Sequence, residues 1–179
     1  MHYLKYISLV TTLSFYVLVG QNSKDEIWSK ENFSGLKFRS IGPAFMSGRI
    51  SDIAFHPDNE SIWYVTVGSG NVWKTVNSGV TWTPIFDDQN SYSIGCVTID
   101  PNNPNTVWVG TGENLGGRHF GYGDGLYKSN DGGQSWVNMG LKKSEHISEV
   151  LIHPENSDVI WVASQGPMWS SGGQRGVYK

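Results

Sequence analysis

Two carboxylates, Glu113 and Asp124, bracket a stretch that also carries Arg118, His119 and Tyr122. Paired carboxyl groups are the working parts of glycosidic hydrolysis, which needs them about 5–5.5 Å apart for retention and roughly 6.5–9.5 Å apart for inversion. Arg, His and Tyr beside them offer hydrogen-bond donors and a flat apolar face, a combination suited to a sugar or a peptide. A second set, Gln165, Trp169 and Arg175, lies in a later Gly- and Ser-rich stretch. Arg49, Ser93 and His146 form a third, because each precedes by the same interval the end of an apolar run, at His56, Asp100 and His153. A plainer reading stands beside the catalytic one, in which Glu113 pairs with Arg118 and Asp124-Gly125 is a turn.

What must position these residues is a repeat. Ser129-Asn130-Asp131-Gly132-Gly133-Gln134-Ser135-Trp136 and Thr75-Val76-Asn77-Ser78-Gly79-Val80-Thr81-Trp82 fit one template: small hydroxyl, any, Asp or Asn, any, Gly, any, Ser or Thr, Trp. Each follows an aromatic-Lys pair, Trp73-Lys74 or Tyr127-Lys128. Two apolar runs joined by a Gly- and Asx-rich step describe a β-hairpin. Gly79 and Gly133 supply the positive φ of the turn, and Asn77 and Asp131 accept backbone N–H bonds inside it. Trp82 and Trp136 are expected to start the next strand and to bury a ring between neighbouring sheets.

The rest of the chain overlays on itself. Ile53–Pro57, Val97–Pro101 and Val150–Pro154 are equivalent strand ends closed by Pro turns, with His56 and His153 serving the turns. Second strands follow at Ile62–Val65, Val107–Gly110 and Val159–Val162, and third strands at Val72–Lys74, Leu126–Lys128 and Val177–Lys179. Fourth strands are expected at Thr81–Ile85 and Ser135–Met139. Four antiparallel strands in a unit of about 45–50 residues is the pattern of a propeller blade. The predicted fold is an all-β, incomplete β-propeller of about three blades, near residues 36–86, 87–140 and 141–179. Phe38–Gly42 reads as a fourth strand with no blade in front of it. A ring takes at least about four blades, so the chain reads as the N-terminal piece of a longer protein, with the remainder of its own propeller as a partner.

Alternating strand direction sorts the loops. The turns between first and second and between third and fourth strands share one face. Gly68–Asn71, Glu113–Asp124 and Gln165–Arg175 share the other with the inter-blade connections Phe86–Ser93 and Gly140–His146. Those loops vary in length, and function concentrates in loops held by a rigid scaffold.

Composition narrows the class. A net charge of −3 over 179 residues, without runs of like charge, gives no reason to expect nucleic acid as a partner. The single Cys96 excludes an intrachain disulfide and a cysteine-rich metal site, and reads as a small buried hydrophobe. No metal or cofactor is expected. Lys5 followed by the apolar run Ile7–Gly20, shorter than the roughly 20 residues of a membrane span, reads as a signal peptide over residues 1–21. A polar linker, 22–35, follows. The chain is therefore expected to be exported, to the medium or the exterior of the cell envelope, with no stable membrane span.

The eight-residue turn resembles the Asp-box of bacterial-neuraminidase-type repeats. With Gly110–Asn114, Tyr122–Ser129, Ser144–Ile147 and Gln165–Trp169, residues 36–179 resemble large secreted bacterial propeller proteins described as glycosyl hydrolases or as carrying a sortilin-type N-terminal domain. Resemblance to xyloglucanases implies an Asp at or beside Gly68, where Gly68-Ser69-Gly70-Asn71 has no carboxylate. Resemblance to sialidases implies an arginine cluster, for which Arg49, Arg118 and Arg175 lie on the right face. Two functions follow: an exported propeller binding a glycan or polypeptide at Arg49, Arg118, His119, Tyr122, His146, Gln165, Trp169 and Arg175, or a glycoside hydrolase using Glu113 and Asp124.

Overall fold

The computed structural model describes residues 35–36, 48–114 and 120–179. It divides into units Met1–Met46 and Ser47–Lys179. Of the first, Gly35 and Leu36 are described, both exposed. The signal peptide, the linker up to Ser34 and the strand expected at Phe38–Gly42 lie outside the described residues.

The second unit is all-β. Its strands are β1 (Ile50–Phe55), β2 (Trp63–Val67), β3 (Val72–Thr75), β4 (Thr83–Pro84), β5 (Ile94–Ile99), β6 (Val107–Thr111), β7 (Leu126–Ser129), β8 (Val137–Gly140), β9 (Ile147–His153), β10 (Asn156–Ser164) and β11 (Gly176–Tyr178). They form antiparallel sheets β1–β4, β5–β8 and β9–β11, each a meander in chain order. This is an incomplete β-propeller: two four-stranded blades and a three-stranded one.

The middle blade shows why these runs form strands. Its neighbours cover both faces, so successive side chains of β6 go to different cores and the strand is apolar throughout. Val107 and Val109 pack toward the first blade with Tyr64, Val72 and Phe86. Trp108, Cys96 and Leu126 pack toward the third with Ile147, Val150 and Val162. Cys96 is buried, as expected for a small hydrophobe, and burial pushes its thiol far up.

The two matching turns have the same internal wiring. Asn77 Oδ1 accepts from Thr81 N at 2.9 Å, and Asp131 Oδ1 accepts from Ser135 N at 2.9 Å. Thr75 Oγ1 accepts from Gly79 N at 2.9 Å, and Ser129 Oγ from Gly133 N at 2.8 Å. Gly79 and Gly133 sit at φ of 87° and 91°, conformations costly for a side chain. Hydrogen bonds from the Ser135 hydroxyl and amide, then from Ser129, hold the Asp131 carboxyl well below the usual range.

The fourth strands differ from expectation. Trp82 and Trp136 precede β4 and β8 rather than starting them, because the turn consumes their backbone geometry before ladder pairing resumes. Trp136 does fill the space between blades, edge-on to Phe86 at 5.1 Å with its Nε1 donating to Ile85 O at 2.8 Å. Trp82 packs on Trp63 of its own blade and stays partly exposed.

Candidate functional site

Three strand irregularities build the site. β1 breaks register between Ile50 and Asp52, β5 between Ile94 and Cys96, and β9 between Ile147 and Glu149. A bulge bends its strand and re-aims the residues beside it. Those residues are Arg49, Ser93 and His146, and all three converge on Glu113, just past β6. The Ser93 hydroxyl accepts from Glu113 N at 3.1 Å. His146 Nδ1 donates to the Glu113 carbonyl at 2.9 Å. Arg49 holds the carboxylate with two donors, Nε to Oε1 and Nη2 to Oε2, the second at 2.7 Å. A fork-to-fork pair of this kind is stronger and more directional than a neutral hydrogen bond.

The loop that presents Glu113 is tied at its base. Thr111 Oγ1 accepts from Asp124 N and Gly125 N, each at 2.9 Å, and its hydroxyl reaches Gly125 O at 2.6 Å. Glu113 N also donates to Gly121 O, and Gly123 N donates across to Glu145 O of the next inter-blade connection. Glu113 is thereby 2% exposed, while the Arg49 side chain is 49% exposed. Gly68 makes the burial possible: a Cβ there would lie 2.9 Å from the Glu113 carboxyl carbon.

Electrostatics follow from this packing. The Glu113 hydrogen bond, and then its charge, raise the Arg49 guanidinium above its ordinary value. Burial lowers His146 below the ordinary imidazole range, against the hydrogen bond to the Glu113 carbonyl. His146 is packed by Phe120, edge-on at 5.6 Å, and by Tyr122 at 5.5 Å.

Above the ion pair lies a cavity of about 490 Å³ lined by Arg49, Ser69, Tyr92, Glu113, Phe120, Gly121, Tyr122 and Trp169. Trp169 is 71% exposed and stacks nearly parallel on Phe120, centroids 6.0 Å apart. Tyr92 and Tyr122 are also exposed. An open aromatic wall beside a fixed guanidinium–carboxylate pair offers stacking faces and directed polar atoms to one ligand.

Of the residues singled out in the sequence, Arg49, Glu113, Tyr122 and Trp169 come together at this cavity, with His146 behind them. Gln165 is not among the lining residues, and its Nε2 donates to Asn114 O at 3.4 Å. Arg175 turns into its own loop, bonding the carbonyls of Pro167 and Ser170. Arg118 and His119 lie outside the described residues. Asp124 does not line the cavity, and its Oδ2 accepts from the Tyr127 hydroxyl at 2.7 Å. Among the described residues, no three His, Cys, Asp or Glu gather as a metal site. Tyr92 and Phe120 are the lining aromatics that the sequence reading passed over; Tyr92 adjoins Ser93 in a connection already assigned to this face.

Fold and site together define a β-propeller protein with a loop-face cavity. Solved structures with similar folds are β-propellers as well. An ancestral GH74 enzyme superposes with a TM-score of 0.55 at 22% identity, over 66% of this chain and 14% of that one. The GH74 enzyme of Niastella koreensis gives 0.51 at 26% identity, over 62% of this chain and 16% of that one. The chain thus spans only a small part of the length of these structures. No protein-family model and no curated protein matches it. Among the described residues, no helix is long and apolar enough to cross a membrane.

Proposed function

We propose that this chain is an exported propeller segment that binds a glycan or polypeptide on its variable-loop face. The observation that carries the reading is the cavity in which Trp169, Phe120, Tyr122 and Tyr92 stand over the Arg49–Glu113 pair. Sugar rings and extended peptides both use such aromatic surfaces, with a few fixed polar groups setting orientation. Export follows from the sequence of Met1–Gly20, and the two wired turns are read as Asp-boxes. The test is an array of polysaccharides and peptides probed with the full chain, alongside assays for reducing-end release. Binding weakened about tenfold or more by Trp169→Ala or Glu113→Gln, without turnover, supports the reading. Binding indifferent to both changes overturns it.

A second reading, glycoside hydrolysis, is favoured by the likeness to GH74 enzymes. It requires a partner carboxylate within about 10 Å of Glu113 across the substrate. Both Glu113 oxygens are engaged by Arg49, and Asp124 bonds Tyr127 away from the cavity lining, which favours binding over catalysis here. Hydrolysis lost on Glu113→Gln would reverse that preference.

A further inference from the structure

We propose that Ser91-Tyr92-Ser93, the end of the connection from the first blade to the second, is a clasp that sets the width of the cavity, with Ser93 as its positioning residue. The role rests on reading the cavity as a binding site, and it names what holds that site in shape. Ser93 is fully buried, and its hydroxyl reaches three backbone groups. It donates between Gly68 O at 2.6 Å and Gly121 O at 2.9 Å, and it accepts from Glu113 N at 3.1 Å. Gly68 belongs to the loop of the first blade, Gly121 and Glu113 to the loop of the second. One hydroxyl therefore ties the two loops together.

The two residues before Ser93 extend the grip. Ser91 Oγ donates between Ser93 O at 3.1 Å and Tyr122 O at 3.2 Å. Tyr92 O accepts from Asn71 N at 2.8 Å. Residues 68–71 of the first loop are thus held at both ends, and Gly121 and Tyr122 of the second are held by both carbonyls. The Tyr92 side chain lines the cavity, as do Ser69 of the first loop and Phe120, Gly121 and Tyr122 of the second. The segments that the clasp holds are therefore walls of the cavity. Each of these bonds is made within or between the first two blades.

Sterics explain why a serine stands here. Equal register places Arg49 and His146 at the matching points of the other two blades. At position 93, however, a Cβ on Gly121 would lie 2.5 Å from Ser93 Cβ and 2.6 Å from its Oγ. The loop backbone already touches the side chain, so a longer one would push the wall outward. Loss of the hydroxyl takes the donor from Gly68 O and Gly121 O and an acceptor from Glu113 N. A buried backbone group left without its partner costs more than the bond itself contributes. The two loops then part to hydrate those groups, and the geometry set in advance for a ligand is lost.

The test is near-ultraviolet circular dichroism of the full chain, read as the difference that Trp169→Phe makes. That signal reports the stack of Trp169 on Phe120, which adjoins the backbone that Ser93 holds. Ser93→Ala is expected to remove most of it while the thermal midpoint falls by only a few degrees. Gly121→Ala strikes the same hydroxyl from the loop side and is expected to reproduce the loss, with the double variant adding nothing to either single one. On the polysaccharide and peptide array, each probe that the wild type captures is expected to bind Ser93→Ala about tenfold more weakly. A Trp169 signal unchanged in Ser93→Ala overturns the clasp, and so do losses that simply add in the double variant. Where Ser93→Ala does not fold, Gly121→Ala and Ser91→Ala carry the same test, and an unchanged signal in both overturns it. A wild type that captures no probe overturns the binding role of the cavity instead, while the spectra still judge the clasp.

Discussion

At the residue scale, Glu113 is defined by what holds it: a guanidinium on its carboxylate, a hydroxyl on its amide and an imidazole on its carbonyl. The seat for that carboxylate exists only because position 68 has no side chain. Gly68→Ala is therefore expected to displace the Arg49–Glu113 pair and weaken ligand binding roughly tenfold, with a thermal midpoint lowered by only a few degrees. Titration calorimetry and a melting curve check the two effects separately. Asp131 makes the other residue-level prediction. Its carboxyl is depressed in the folded protein, so the unfolded chain binds a proton more readily. The stability it contributes is complete above the ordinary carboxylate value of about 3.9 and is lost as pH falls from there toward the native value. Asp131→Asn, which copies the other turn's Asn77, is expected to flatten that acid limb in pH-dependent denaturation while preserving the fold.

The elements impose a different constraint, namely how closely the blades approach. Gly110 of β6 sits where a Cβ would lie 2.5 Å from Ile147 Cγ2 and 2.7 Å from Cys96 Sγ. Gly110→Val would force the second and third blades apart, an overpacking that typically costs about 1–3 kcal/mol. Circular dichroism melts read that loss. The first and second blades are joined instead by Trp136, through its ring on Phe86 and its N–H on Ile85 O. Truncation to Ala there removes a large, partly buried aromatic from the interface and is expected to cost less than the about 3–5 kcal/mol of a fully buried one, read in the same melts.

For the whole molecule, the cores between blades provide the cohesion. Cys96 lies in the core between the second and third, with its thiol shifted upward by burial. Thiol reagents are therefore expected to label it only when those blades separate. Labelling rates that follow the global unfolding curve in denaturant would agree with one cooperative array. Fast labelling under native conditions would mean that the third blade opens by itself.

The sequence by itself determined the repeat, its four-strand grammar, the wiring of the turns and the face on which the variable loops lie. Those are local matters of side-chain period, turn chemistry and register, and they are written in neighbouring residues such as Ser129–Trp136. It also aligned Arg49, Ser93 and His146, because equal register means equal placement in a repeat. The strand boundaries near Trp82 and Trp136 were less legible, since the turn and the ladder compete for the same backbone groups. What only the tertiary structure decided is that those three aligned residues meet at Glu113, that its ion-pair partner is Arg49, and that Asp124 turns to Tyr127 instead. Such partners lie tens of residues apart and are chosen by bulges and loop ties, which act on direction in space and leave no periodic trace in the chain.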